Sequence, residues 1–228
     1  MKPLIALFAV SVRQALPLRR SVMLALLETG PGLIYVFATT GRTADAAFQG
    51  AVEIGAGTYF GLVLPVVSIV VAAGVLGNER RDLTLSFIAL RPIPRAGLAG
   101  TKLTAAIAAA FALNLVGALV LGGVHAVRSG NADFVLALIA GALVATITYA
   151  SVYVPLGFMT DRAVLIGVGY LLIFENGVAA LLTGLAALSP WRVGISVFAD
   201  LADGARLHLD TSIAPLNLER ALLTAAIY

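Results

Sequence analysis

Charge-free apolar stretches alternate with short connections that hold most of the polar residues. Five stretches cover residues 21–40, 55–76, 103–127, 134–157 and 163–187, and a sixth starts near 217 and continues to 228. Each of the five reaches the roughly 20 apolar residues that carry a helix across the hydrocarbon core. The last has 12 residues, a rise of about 18 Å, so it is expected as a partial helix, incomplete in this chain. The first is not a cleavable leader, because Glu28 and Gly30-Pro31 interrupt it, and a kink is expected near Pro31. Ahead of it, residues 3–16 are apolar with Arg13 and Gln14 set among them, and Pro17 separates them from Arg19-Arg20. That pattern predicts an N-terminal helix lying along the membrane surface. With no tandem repeat, low-complexity tract or linker, residues 1–228 read as one domain of an all-α integral membrane protein.

Composition agrees. Hydrophobic residues make up 60% and charged residues 12% of the 228, with a mean hydropathy of +1.00. Water-soluble domains carry about 25% charged residues, so a sizeable soluble domain is excluded. There is no cysteine, hence no disulfide and no thiolate metal site. His125 and His208 are the two histidines and form no metal-binding motif. The preponderance of Arg over Lys, with abundant Ala, Gly, Leu and Val, resembles proteins of high-GC bacterial genomes. With the N-terminus inside, Lys2, Arg13, Arg19, Arg20, Arg80, Arg81, Arg91, Arg95, Lys102 and Arg162 fall on the inner side. Arg42, Arg128, Arg192, Arg206 and Arg220 fall outside, a ten-to-five bias that predicts a cytoplasmic N-terminus.

Most of that bias comes from residues 77–102, GNERRDLTLSFIALRPIPRAGLAGTK. Leu83 to Leu90 places apolar residues on one helical face, and Pro92 and Pro94 stop the helix. On charge alone the segment reads either as a docking helix for a soluble partner or as a basic loop obeying the inside rule. Its order of an E-R-R-x-x-T-L segment, an L-x-R-P-x-P-R break and a following Lys resembles the permease subunits of ABC-2 type exporters. Glu79, Arg80, Arg81, Thr84, Leu85, Arg91, Pro92, Arg95 and Lys102 carry the likeness; the family often has Gly before the Thr, where this chain has Leu83. Phe174-Glu175-Asn176-Gly177, the Arg19-Arg20 start and the proline of the first span add to it.

The resemblance implies a six-helix transmembrane bundle in the bacterial cytoplasmic membrane and a coupling role for the loop. It also implies two cytoplasmic ABC ATPase subunits, a second permease copy or paralogue, and contact with membrane lipid but not nucleic acid. This chain has no G-x-x-x-x-G-K-S/T sequence, so ATP and Mg are expected on the partner, and the chain itself is not expected to be an enzyme.

Polar residues inside the spans are the remaining candidates, since intramembrane acids are costly to insert. Glu175, with Asn176 beside it, either makes a structural hydrogen bond or lines and gates a path. Glu28 either faces a cavity mouth or pairs with a basic residue near the inner interface. Thr146, Tyr149 and Tyr153 fall on one helix face, and Asn114 is a single polar group; all read as interhelical glue or as path lining. The rival function is a proton-coupled secondary transporter relaying through Glu175. Residues 188–216 predict a short amphipathic helix at the outer interface, anchored by Trp191, followed by Asp200, Asp203 and Asp210 on a solvated face.

Overall fold

The computed structural model describes residues 2–83, 94–178, 189–209, 213 and 216–228. Among these the regular structure is helical: α1 (Lys2–Ala15), α2 (Leu18–Thr39), α3 (Ala44–Ile54), α4 (Leu64–Arg81), α5 (Arg95–Ser129), α6 (Asp133–Met159), α7 (Ala163–Gly169), α8 (Pro190–Leu201) and α9 (Leu218–Ile227). A π-helical segment, π1 (Gly55–Val63), joins α3 to α4 without a break, and a second, π2 (Tyr170–Val178), continues α7. A 3₁₀ turn at Ala205–His208 follows α8. Among the described residues four helices are long and apolar enough to span a bilayer: Leu18–Thr39, Ala44–Arg81, Arg95–Ser129 and Asp133–Met159.

Helix ends follow local chemistry. Thr43 caps α3 by accepting from the Ala46 amide at 3.4 Å, and Gly130 closes α5 in the left-handed region at φ 73°. Pro94 opens α5 and Pro190 occupies the first position of α8, where a missing N–H costs nothing. Pro31 lies inside α2, buried rather than at an end.

Packing is organised by α6, which lies against α4, α5 and α8, while α5 also holds α1 and α2. Close backbone approach is made by glycines. A Cβ on Gly157 of α6 would stand 2.2 Å from the Ala73 carbonyl oxygen of α4, and one on Gly32 of α2 would stand 2.5 Å from Val120 of α5. Small residues at such contacts are how membrane helices gain packing without a hydrophobic driving force.

Helix α8 departs from expectation. Instead of resting at an interface, it is buried from Pro190 to Ala199 between α6, α9 and π1. Gly194 and Gly141 make this possible, since a Cβ on Gly194 would fall 2.6 Å from Ala145 Cβ and one on Gly141 2.7 Å from the Gly194 carbonyl. The amphipathic pattern was legible, but a protein face took the apolar side instead of lipid. Asp200 is likewise not merely solvated. It pairs with Arg206 at 2.9 Å and accepts from the Leu218 amide at 2.9 Å, capping the first turn of α9.

The helix outlasts the apolar stretch that ends at residue 76, since α4 runs on to Arg81. Its exit is at Leu83, the non-glycine residue with positive φ among those described, at φ 56°. Leu83 donates its amide to the Arg80 carbonyl at 3.2 Å, so a left-handed turn closes the end of the helix.

Candidate coupling and intramembrane polar sites

Three groups of polar side chains are brought together by the bundle. The first is at the end carrying the 82–94 connection. Thr84, Leu85, Arg91 and Pro92 lie outside the described residues. Glu79 and Lys102, which flank the connection, are brought together: the Lys102 ammonium donates to Glu79 Oε1, with side chains 1% and 9% exposed respectively. The pair locks the last turn of α4 to the start of α5. Arg80 donates to the Phe158 carbonyl at 3.0 Å and lies 4.0 Å from Asp161, tying α4 to the α6–α7 turn. Arg81 binds Asn78 Oδ1 at 2.5 Å, one turn back on its own helix. Arg95 is exposed at the start of α5. It lines a mainly apolar cavity of about 430 Å³ together with Glu79, Lys102, Leu103, Pro155 and Tyr228.

Arg20, read in the sequence as an inner-side cation and as part of the Arg19-Arg20 start, also makes a specific contact. Its guanidinium donates to the Val70 carbonyl of α4 and packs on Gly74, so α2 is pinned to the same helix that Glu79 ends.

The second group lies mid-bundle. Asn114 of α5 donates through Nδ2 to Ser68 Oγ of α4 at 2.9 Å and to Thr146 Oγ1 of α6 at 2.7 Å. The Thr146 hydroxyl donates to the Ala142 carbonyl at 2.7 Å, and Tyr59 of π1 donates to the Asn114 carbonyl at 2.8 Å. Four elements are joined by buried hydrogen bonds, each worth about 0.6 kcal/mol or somewhat more in a membrane. Ser68 and Tyr59 had no distinguishing local signal, because a lone hydroxyl in an apolar helix is common. Glu28 of α2 is fully buried beside Gly117 of α5 and Tyr59, not paired with a basic residue.

The third group surrounds Glu175 on π2. Tyr149 donates to Glu175 Oε2 at 2.7 Å and Ser189 to Oε1 at 2.9 Å, while the Trp191 main-chain N–H also bonds this carboxylate. Ser189 is the N-cap residue of α8, so the acid sits at the positive end of that helix. Arg192, stacked 5.2 Å from the Trp191 ring centroid, adds a favourable charge. Tyr153 stacks on Tyr149 at 6.1 Å. Thr146, Tyr149 and Tyr153 thus share a helix face but serve two groups, the first bonded to Asn114 and the second to Glu175. Asn176 follows on π2, with its side chain outside the described ones.

The family model described as ABC-2 family transporter protein matches residues 16–185. The chain belongs to this family. No curated protein and no solved structure matches it. As an ABC-2 family protein it is a transport component of the membrane. The matched region holds α2 to π2 and so contains Glu79, Lys102 and the mid-bundle network.

Proposed function

We propose that this chain is the six-helix permease subunit of an ATP-driven exporter in the bacterial cytoplasmic membrane, with its N-terminus cytoplasmic. Two partner ATPase subunits hydrolyse ATP, and a second permease copy or paralogue completes the path. Family membership supports the general role, and the Glu79 to Lys102 ion pair is the observation that carries the coupling reading. A loop whose two ends are clamped together transmits a push to both helices at once instead of flexing. Arg80 and Arg20 extend the rigid unit to the α6–α7 turn and to α2, so displacement of residues 82–94 reaches four elements.

Glu175 fits a structural part in this scheme. Three donors and the end of a helix already engage its carboxylate, which supports anchoring of α8 over proton relay. The central experiment replaces Arg91 and Arg95 by Ala and co-expresses the chain with the ATPase of a neighbouring reading frame. Membrane insertion should persist while ATP hydrolysis by the co-purified complex falls. Unchanged co-purification with unchanged hydrolysis would refute the coupling role.

A further inference from the structure

Glu28 is the counterpart of Glu175 with its donors missing. Its side chain is 0% exposed, and neither Oε1 nor Oε2 has a hydrogen-bond partner. On the facing helix α5, one turn from Gly117, Asn114 Oδ1 is also buried and unpartnered. The donors of Tyr59, Asn114 and Thr146 are already used. Tyr59 gives its proton to the Asn114 carbonyl, both Asn114 Nδ2 protons go to Ser68 and Thr146, and the Thr146 proton goes to Ala142. Three unpartnered acceptors, Glu28 Oε1 and Oε2 and Asn114 Oδ1, then stand against one further donor of this network, the Ser68 hydroxyl, which accepts from Asn114.

No charged partner makes good the deficit among the described residues. From π1 the titratable group facing Glu28 is Tyr59, and from α5 the facing position is Gly117. The acids of α3, Asp45 and Glu53, are exposed, and Glu53 accepts from Gln49. On α2 itself Arg20 lies about 12 Å away by helical rise and is bound to Val70, while Arg128 at the far end of α5 is bound to Thr39. Space then decides which donor fits. A Cβ on Gly117 would lie 2.2 Å from Glu28 Oε2 and 2.7 Å from Tyr59 Cε2, so this contact has no room for an added heavy atom. On this side of the carboxylate a metal ion or an ammonium group needs more room than is left; a proton does not.

We propose that Glu28 is a proton-binding site. In this arrangement one carboxyl oxygen carries a proton taken from bulk water, and α2 closes on α5 at Gly117 only over the neutral acid. Loss of the proton back to water leaves a bare carboxylate against apolar surface, which drives α2 away from α5. Protonation therefore biases the bundle between a closed and an open α2–α5 contact. This inference stands apart from ATP coupling and holds whether or not the partner ATPase is found.

The test uses the full chain in lipid nanodiscs without any partner. Dicyclohexylcarbodiimide, which adds to neutral carboxyl groups in apolar surroundings, should modify Glu28 at mildly acidic pH, several-fold more than Glu175, and progressively less as the pH is raised. Glu28→Gln should remove the adduct. Infrared difference spectra between the wild type and Glu28→Gln should show the carbonyl stretch of a neutral carboxylic acid at neutral pH. They report directly on protonation even where the reagent cannot reach. Should the Gln variant fail to assemble, pH titration of that band in the wild type replaces the difference. An ionised-carboxylate band for Glu28 at neutral and mildly acidic pH overturns the proposal.

Discussion

Replacing Lys102 by Met isolates the electrostatic part of the clamp between α4 and α5. Met keeps most of the unbranched apolar stem that Lys102 buries, so little packing is lost. What disappears is the ammonium group opposite Glu79. Both side chains are almost fully shielded, at 1% and 9% exposure, so the pair belongs with buried ion pairs and not with surface ones. Removing one partner of a buried pair costs about 3–5 kcal/mol, against about 0–1 kcal/mol for an exposed pair. The lower bound of 3 kcal/mol is already a shift of about a hundredfold in the unfolding equilibrium. The double variant Glu79→Gln, Lys102→Met removes both charges and should recover most of the loss, because neither half of the ion pair remains. Reversible unfolding in mixed detergent micelles, followed through helix content, measures the wild type, Lys102→Met, Glu79→Gln and the double variant. A single-variant loss under about 1 kcal/mol, or a double variant whose loss equals the sum of the singles, would refute the reasoning.

Three further outcomes are expected. Leu83→Gly should stabilise the chain by about 1 kcal/mol in the same unfolding assay, because Leu83 holds a left-handed φ of 56° that glycine adopts without steric cost; a destabilised variant would show that the Leu83 side chain outweighs the strain. Glu175→Gln should keep assembly, since the amide oxygen still accepts from Tyr149 or Ser189, whereas Glu175→Leu strands these donors and should lower the yield of monodisperse protein by several-fold; equal behaviour of the two variants would argue against an anchoring role. With no native cysteine to interfere, Pro92→Cys should react with an impermeant maleimide only from the cytoplasmic side and Leu207→Cys, at an 87% exposed position, only from outside; the reverse labelling pattern would invert the topology.

The membrane class and the ABC-2 family were legible in the sequence because both rest on properties of contiguous segments. Apolar length is set by bilayer thickness, and the loop motif from Glu79 to Lys102 lies in one short stretch. That Glu79 and Lys102 touch is a different matter: they are separated by 22 residues of intervening chain, and only the antiparallel return of α5 onto α4 brings them together. The amphipathic face of residues 190–201 was equally visible, yet periodicity says only that one side avoids water. Whether lipid or protein covers it depends on Gly141 and Gly194 meeting across two helices. The two intramembrane acids make the same point. In the sequence Glu28 and Glu175 are alike, single carboxylates in apolar runs. Tertiary packing places Tyr149, Ser189 and the amino end of α8 around Glu175, and only Gly117 and a tyrosine already committed elsewhere beside Glu28. Hydrogen-bond donors arrive from helices distant in the chain, so the chemical difference between the two acids exists only once the bundle is assembled.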